Sequence, residues 1–221
     1  MGMSVTVAAA HFLVLRRAAT ARDTSTLDDL VARFGDAILP IRLDVTDHDA
    51  DVAAVENAAE TFGSLDVVVN NAGYGHFGFV EEITEAEARA QLETNLFGAL
   101  WVTQAALPIL RRQGHGHILQ VSSIGGITAF PRTGIYHASK WALEGISQSL
   151  ALEVAGFGIR VTIVEPGGYA TDWAGSSSTT SAALPDYEEL NAQVIEQRNR
   201  RVGIPGDPAA LSYEPKWDGF R

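Results

Sequence analysis

The chain has 221 residues, with 16 Lys or Arg against 27 Asp or Glu, so its formal net charge is −11. The length suits one domain with a sizeable core, and 46% hydrophobic with 19% charged residues is typical of a folded protein. The excess of negative charge argues against nucleic acid or an anionic membrane as the main partner. The absence of cysteine excludes disulfides, thiolate metal sites and cysteine nucleophiles.

The first apolar stretch covers residues 5–15 and is about half as long as the ~20 residues that a membrane-spanning helix needs. Arg16 and Arg17 follow this stretch, whereas a secretory signal places its positive charges first. We therefore expect no membrane span, no signal peptide and a cytoplasmic location. The stretch could supply one strand or one helical turn.

Short β-branched runs then alternate with helical patterns along the chain. Strands are predicted at residues 37–45, 65–70, 117–123 and 159–165, and helices at 25–35, 47–63, 84–112 and 136–154. Ser25-x-x-Asp28 and Thr84-x-x-Glu87 are expected capping boxes. This order predicts an α/β fold: a single Rossmann-like domain with a doubly wound parallel sheet. The segment at residues 167–184 is too long for an ordinary connection, so we expect it to form a loop that covers the substrate.

A tyrosine and a lysine lie one helical turn apart in the run Tyr136-His-Ala-Ser-Lys140. This spacing places both side chains on one face of a helix. A phenol with its ordinary pKa of about 10 is a poor acid–base group at neutral pH, and a nearby ammonium group lowers that pKa. Alone, the pair indicates little, because such spacings arise by chance on solvated helices.

Polar groups at the ends of the predicted strands give this pair its context. Asn70-Asn71-Ala72-Gly73, Ser122-Ser123 and Pro166-Gly167 end three successive strands, Thr171 follows in the loop, and Asn95 lies in a helix. Because the carboxyl ends of parallel strands meet at one crevice, we expect these groups to lie together.

These motifs, in this order, resemble the short-chain dehydrogenase/reductase family over residues 19–208. N-N-A-G stands at 70–73, Y-x-A-S-K at 136–140 and P-G-x-x-x-T at 166–171. Ser123 precedes Tyr136 by thirteen residues, the family's usual spacing, and is therefore preferred to Ser122. The resemblance implies hydride transfer between a nicotinamide cofactor, NADP(H) or NAD(H), and a carbonyl or secondary alcohol.

The resemblance also implies a role for each catalytic position. Tyr136 would exchange the hydroxyl proton, and Ser123 would polarise the substrate oxygen. Lys140 would lower the pKa of the tyrosine and bind the nicotinamide ribose. Asn95 would hold a water of the proton relay, although it could instead bridge backbone groups at a helix kink.

The implied cofactor-binding residues are Arg22, Asp44, Val45, Asn71, Ala72, Gly73, Tyr136, Lys140, Pro166, Gly167 and Thr171. Asp44 and Val45 match the pair that contacts the adenine ring, and Thr171 could instead be a simple loop cap. Arg22 at a strand end favours NADP(H), because a guanidinium group pairs with the 2′-phosphate. The adjacent Asp23 could instead accept from the ribose of NAD(H).

The amino-terminal part departs from the family pattern. The first 34 residues contain one glycine, Gly2, where the family has a Thr-Gly-x-x-x-Gly-x-Gly turn that presents backbone N–H groups to the pyrophosphate. Residues 18–22 resemble the family's second strand, and the roughly 17 residues before them are too few for a strand, a turn and a helix of ordinary length. We therefore expect weak binding of a dinucleotide. The chain divides into an atypical segment at 1–17, a Rossmann-like domain at 18–210 and an unrelated tail at 211–221.

The tail resembles a second, unrelated family. Its run Glu-Pro-Lys-Trp-Asp-Gly-Phe-Arg matches the E-x-K-x-D-G-x-R adenylation motif of ATP-dependent DNA ligases, with Lys216 at the position that takes AMP. The match covers these residues alone. We therefore expect a foreign tail and a reductase core truncated at both ends.

Two classes of function remain open. One is an oxidoreductase for a small carbonyl or alcohol, expected to be apolar because Phe77, Phe79, Phe130, Tyr169 and Trp173 lie near the crevice in the sequence pattern. The other is a catalytically silent truncated fragment or binding module. No metal site is expected, because His115 and His117 have no third ligand near in sequence. The resemblance further implies a homo-oligomer, with the helices at 84–112 and 136–154 forming the interface.

Overall fold

The computed structural model describes residues 6–11, 14–167 and 178–201. Its strands are β1 (Thr6–His11), β2 (Val14–Ala21), β3 (Ile38–Arg42), β4 (Val67–Asn70), β5 (Gly75–Phe77), β6 (Gly116–Val121), β7 (Ile159–Val164) and β8 (Ser178–Thr180). Its α-helices are α1 (Asp28–Phe34), α2 (His48–Phe62), α3 (Glu85–Leu92), α4 (Gly98–Gln113), α5 (Gly134–Val154) and α6 (Glu188–Arg201). A π-helical turn at Glu93–Phe97 joins α3 to α4.

Six of these strands form one sheet in the order β3-β2-β1-β4-β6-β7, and β5 pairs with β8 in a separate parallel ribbon. The pairs β2–β3, β4–β6 and β6–β7 are parallel. The predicted α/β, Rossmann-like fold in a single domain is therefore confirmed. All five strands predicted between residues 18 and 165 are present, each within a few residues of its expected bounds.

Strand β1 differs from the parallel pattern. It runs antiparallel to both neighbours, with Thr6 opposite Ala19 of β2 and Val69 of β4. Only residues 12 and 13 separate β1 from β2, a connection that suits an antiparallel pair, whereas a parallel pair needs a crossover of a dozen residues or more. The expectation that a strand, a turn and a helix do not all fit before β2 stays a prediction. Residues 6–11 supply a strand, whose Thr6 end lies opposite Val69 near the end of β4.

The helix ends follow short side-chain signals, with one correction. Asp47 caps α2 by accepting from the Ala50 amide (3.1 Å), and Thr84 caps α3 in the predicted capping box with Glu87. The prediction of a capping box at Ser25 is wrong. Asp23 accepts from the Ser25 amide (3.0 Å) instead, so the helical turn begins one residue earlier, where the chain leaves β2.

Helices cover both faces of the sheet. Alternate residues of β2 point to opposite faces: Ala18 joins the main core with α2 and α4, while Ala19 packs in a smaller cluster beneath α1. The main core includes Val55, Val68, Val102, Leu110 and Ile118, all 2% exposed or less. No helix among the described residues is long and apolar enough to cross a membrane.

A buried polar network fixes the end of β4, where the candidate site begins. The Asn70 Nδ2 donates to the Gln120 Oε1 of β6 (3.0 Å) and to the Thr103 Oγ1 of α4 (2.9 Å). The Gln120 Nε2 also donates to the Thr103 Oγ1 (3.1 Å). Because these hydrogen bonds join two strands and a helix in the interior, the backbone that follows Asn70 leaves the sheet in a fixed direction.

Candidate active site

Three of the predicted catalytic side chains converge at the carboxyl edge of the sheet. Ser123 follows β6, while Tyr136 and Lys140 lie one turn apart on α5, buried at 5% and 4% exposure. The side chains of Ser123 and Tyr136 are hydrogen-bonded to each other. The Ser123 Oγ also accepts from the Gly125 amide (3.0 Å), which closes the turn after β6 and orients the serine.

Lys140 is held by the backbone of the strand beside it. Its Nζ donates to the Val121 carbonyl (2.7 Å), at the end of β6. Burial lowers the pKa of Lys140 to about 8, and the negative charge of Glu144 one turn along α5 opposes that shift. The ammonium group therefore carries its charge at neutral pH and loses it in mildly alkaline solution.

The pKa of Tyr136 differs from the expectation. The lysine was expected to lower this pKa, but burial raises it above its ordinary value, and the hydrogen bond with Ser123 provides the opposing effect. The physical reason is that burial disfavours the phenolate, while the Lys140 ammonium is committed to the Val121 carbonyl. In this state Tyr136 is a protonated phenol.

Asn95 lies in the π turn and is 1% exposed. Its amide group makes a two-way contact with the loop after β4: the Oδ1 accepts from the Tyr74 amide (3.0 Å) and the Nδ2 donates to the Tyr74 carbonyl (3.0 Å). The Nδ2 also contacts the Ser139 Oγ (3.3 Å). The side chain thus bridges backbone groups, which was the alternative interpretation of this residue.

Gly73 lies where the loop after β4 approaches Asn95 and Lys140. A Cβ atom at Gly73 would be 3.1 Å from the Asn95 Oδ1 and 3.6 Å from the Lys140 Nζ. The missing side chain therefore leaves the backbone of this loop, which includes Asn71 and Ala72, close to the catalytic lysine. The Lys140 Nζ donates one of its three protons to the Val121 carbonyl and so keeps donors for a ribose hydroxyl group.

The predicted adenine-binding residues follow β3. The Asp44 Oδ1 accepts from the amide and the hydroxyl of Thr46 (3.1 and 2.9 Å), and Val45 is 7% exposed. A Cβ atom at Gly98 would be 2.7 Å from the Val45 Cγ2, so α4 packs directly on this turn. The Val45 side chain is therefore packed beneath α4, and this packing holds the turn in a fixed position.

Arg22 is exposed directly after β2, close enough to Tyr74 that its positive charge lowers the pKa of that phenol against the larger effect of burial. Asp23 is occupied as the helix cap, and its pKa is lowered mainly by its hydrogen bond to Ser25. Arg42, at the end of β3, pairs in register with Ala21 and also acts on Asp23. Sequence reasoning missed Arg42, because its neighbourhood depends on the pairing of β2 with β3.

The strand end after β7 meets the turn after β6. The Pro166 carbonyl accepts from the Ile124 amide (3.0 Å), and Gly167 is exposed beside it. Thr171, Tyr169 and Trp173 lie outside the described residues. Phe79 stacks on Tyr187 (4.6 Å between ring centroids), so it is a packing residue rather than a free wall of the crevice.

The described residues match the pyrophosphate half of a dinucleotide less well than its nicotinamide half. The described residues pair β1 with β2 as antiparallel strands, and the sequence holds no glycine between Thr6 and Phe34 for a turn that presents backbone N–H groups. The nicotinamide half of the cofactor therefore fits the residues present.

Two buried histidines near the site have partners that the sequence did not reveal. His76 of β5 contacts the Thr179 Oγ1 (2.7 Å) and the Ser181 Oγ (2.8 Å), more than 100 residues away in sequence. His137 is 6% exposed and contacts the loop after Ser123. The sequence signal for each was a histidine within a mostly apolar run. The partners of these histidines are identified by the tertiary structure alone. Among the described residues, no group of three or more His, Asp or Glu could hold a metal ion.

Comparisons with known proteins agree with this geometry. A family profile described as short chain dehydrogenase matches residues 3–182. An oxidoreductase of Botryotinia fuckeliana (strain B05.10), BOA17, is 48% identical over 186 residues, which cover 84% of this chain and 68% of that protein. The crystal structure of a short-chain dehydrogenase from Streptomyces avermitilis is 40% identical, with a TM-score of 0.77, and the match covers 87% of this chain and 70% of that one.

Two further solved structures are described with different cofactors. A gluconate 5-dehydrogenase from Burkholderia cenocepacia J2315, in complex with NADP and tartrate, is 26% identical with a TM-score of 0.68, covering 72% of this chain and 64% of that one. A short chain dehydrogenase/reductase from Burkholderia phymatum, in complex with NAD, is 26% identical with a TM-score of 0.73, covering 86% of this chain and 71% of that one. The two matches together leave the choice between the cofactors open.

Proposed function

Because this chain belongs to the short-chain dehydrogenase family, we propose that it transfers a hydride between a nicotinamide cofactor and an apolar carbonyl compound or secondary alcohol. The observation that carries the proposal is the pairing of Ser123 with Tyr136, which lies one helical turn from the buried Lys140. The comparisons support an oxidoreductase in general. The substrate class is our inference from the apolar side chains near the crevice.

The roles of the site residues follow from their positions. The cofactor, when bound, supplies or accepts the hydride. The Tyr136 phenol donates its proton to the substrate oxygen, and the Ser123 hydroxyl donates a hydrogen bond to the same oxygen. Lys140 contributes its positive charge beside the ribose, and Asn95 fixes the loop that carries Gly73. A protonated Tyr136 suits carbonyl reduction better than alcohol oxidation at neutral pH, because reduction requires a proton donor.

We propose NADP(H) as the preferred cofactor. Asp23 is occupied in the cap with Ser25, so it is a poor acceptor for the ribose of NAD(H), whereas Arg22 and Arg42 place two guanidinium groups near the end of β2. Arginine pairs well with a phosphate because its planar donors match the phosphate oxygens. Asp44, Val45, Asn71, Ala72, Gly73, Pro166, Gly167 and Thr171 complete the proposed cofactor contacts.

We also propose a homo-oligomer located in the cytoplasm. Trp141 and Leu152 are 50% and 82% exposed on α5, and the spacing of eleven residues places them on one face of the helix. Such a pair of exposed apolar side chains favours contact with a second copy. The mass of the protein in solution, measured by sedimentation, tests this part of the proposal.

The change Tyr136→Phe tests the proposed function. It removes only the phenolic oxygen, so we expect turnover of a ketone probe such as acetophenone to fall by about 10²-fold or more, while the fold is kept. Turnover is measured from the loss of absorbance as the reduced nicotinamide of NADPH is oxidised. Circular dichroism measures the fold. The matched control is Tyr187→Phe at a half-buried tyrosine whose hydroxyl donates to Glu81, and it should keep wild-type turnover. A Tyr136→Phe protein with near-normal turnover would show that the phenol is not the proton donor.

A second candidate function rests on β1. Because this strand replaces the strand, turn and helix that usually receive the pyrophosphate, the chain could be a catalytically silent fragment or a binding module. A wild-type protein that binds neither NADPH nor NADH, while remaining folded, would favour this second function.

A further inference from the structure

The residues between the catalytic serine and the catalytic helix form a loop at 124–133, which we call the bridging loop. Its first residue follows Ser123, and its last precedes the helix that carries Tyr136. The loop exposes three large apolar side chains: Ile124 at 42%, Ile127 at 59% and Phe130 at 41%. An apolar substrate next to Ser123 and Tyr136 would meet this loop first.

One side chain, His137, holds both ends of the bridging loop. Its Nδ1 lies 2.9 Å from the Gly125 carbonyl, and its Nε2 lies 2.9 Å from the Phe130 amide and 2.7 Å from the Thr133 Oγ1. The Thr133 hydroxyl also lies 3.0 Å from the Phe130 carbonyl, which keeps the second end of the loop together. The imidazole thus spans the loop from its second residue to its last.

These partners specify one protonation state of the ring. A backbone amide can only donate, so the Nε2 must accept from Phe130 and the Nδ1 must carry the proton that is donated to the Gly125 carbonyl. A second proton on the Nε2 would bring two donors face to face at 2.9 Å. The arrangement therefore requires a neutral imidazole.

The loop has no room to adjust at Gly125. A Cβ atom there would be 2.6 Å from the His137 Nδ1 and 3.2 Å from the Tyr136 Cε1. The backbone of Gly125 is thus packed between the histidine and the catalytic tyrosine. A displacement of the imidazole is transmitted directly to the turn that orients Ser123.

We propose that neutral His137 is a positioning residue that keeps the bridging loop in the shape that receives an apolar substrate, so that substrate affinity falls when the imidazole is protonated. Only the kinetic part of this inference, the effect on substrate affinity, rests on the proposed function. Burial lowers the pKa of His137, and hydrogen bonding to the backbone of Gly125 and Phe130 offsets part of that effect. The charged or titratable groups on the elements packed around it are Tyr136, Lys140 and Glu144 of α5, Arg132 of the loop and His76 of β5.

The first test measures hydrogen exchange of the loop amides in the full chain and needs no turnover. We expect the protection factor of the Phe130 amide in the wild type to fall about tenfold between about pH 7.5 and about pH 4.5, as the imidazole gains its second proton, because burial places the pKa of His137 below the ordinary histidine value. His137→Phe keeps a ring of similar size and should show low protection at both pH values. His117→Gln is the matched control, because His117 is a partly buried histidine with a lowered pKa that contacts Thr162 instead.

A second variant guards against a simple folding defect. His137→Gln keeps one non-titrating acceptor, so it should restore part of the protection and remove its dependence on pH. The proposal is overturned if His137→Phe protects the Phe130 amide as well as the wild type does. It is also overturned if the pH-dependent loss of protection persists in His137→Gln.

The kinetic test uses acetophenone and NADPH as probes. We expect His137→Phe to raise KM about tenfold with kcat changed less than about threefold, a split that a general loss of active enzyme would not produce. In the wild type, KM should rise below about pH 6, and His137→Gln should abolish this rise. Absent turnover in the wild type would contradict the proposed function, whereas the exchange result would still decide the role of His137.

Discussion

Asp23 shows how a neighbouring residue can decide the role of a charged side chain. Its position after Arg22 suits a contact with a cofactor ribose, yet its carboxylate accepts from the Ser25 amide and caps the next helical turn. A carboxylate engaged with a backbone amide gives up part of its capacity to accept from a ligand. The cofactor preference then depends on the exposed Arg22 beside it.

The first prediction at this scale concerns Arg22→Ala. We expect the affinity for NADPH to fall about tenfold or more and that for NADH to change little, because only the 2′-phosphate loses a charge-assisted hydrogen bond. Competition between the two cofactors, followed by nicotinamide fluorescence, measures the ratio. Arg33→Ala, which removes an arginine whose guanidinium lies over Phe34, is the control. A preference for NAD(H) in both wild type and Arg22→Ala would contradict the assignment.

Single residues were predictable where their chemistry is local in sequence. Tyr136 and Lys140 share a helix face at a spacing of four residues, and the structure places both at the carboxyl edge of the sheet. The direction of the Tyr136 pKa was not predictable, because it depends on burial and on the Val121 carbonyl that occupies Lys140. A sequence shows which groups are neighbours along a helix but not which backbone group competes for them.

The sequence was enough to predict whether a segment forms a helix or a strand, but less able to predict the direction in which a strand runs. Caps at Asp47 and Thr84 and the short apolar runs are enough to place α2, α3 and β4. The antiparallel direction of β1 could not be derived from residues 5–15, because an apolar run fits a strand of either direction. The direction follows from the two-residue connection to β2, which excludes a crossover.

The prediction at the scale of elements replaces residues 1–17. A generic strand, a Thr-Gly-x-x-x-Gly-x-Gly turn and a helix in their place should raise the affinity for NADPH by orders of magnitude, since several backbone donors at about 1.5–3 kcal/mol each would meet the pyrophosphate. Titration of both proteins with NADPH measures the difference. A graft with every turn glycine changed to alanine is the control and should bind as weakly as the wild type. Tight binding by the unmodified chain would show that β1 presents a phosphate site of its own.

A buried carboxyl group without a hydrogen-bond partner affects how the stability of the whole molecule depends on pH. Asp51 of α2 is 0% exposed, and neither of its oxygens has a hydrogen-bond partner among the described residues. Burial, assisted by the carboxylates of Asp47 and Asp44, raises its pKa to about 8. The folded protein therefore holds this proton more tightly than the unfolded chain, in which the pKa is about 3.9. The contribution of this group to stability is largest below about pH 4 and is lost as the pH rises to about 8.

The change Asp51→Asn removes this dependence on pH. We expect its free energy of unfolding to exceed that of the wild type by about 2 kcal/mol or more at about pH 8, with the advantage shrinking towards about pH 4. Urea denaturation at both pH values measures it. Asp49→Asn is the matched control on the same helical turn, because the Asp49 side chain is fully exposed. Equal pH dependence in wild type and Asp51→Asn would show that Asp51 is ionised in the folded protein at no cost.

The π turn at Glu93–Phe97 has a geometric consequence for the two helices that it joins. A π turn holds one residue more than an α-helical turn, and each residue rotates a helix by about 100°. Deleting one residue here would rotate α3 by about that angle relative to α4, turning Gln91 away from the Tyr74 carbonyl that it now contacts at 3.0 Å. The extra residue thus sets the rotation of α3 relative to α4. With it, α3 faces the loop after β4 while α4 faces the core.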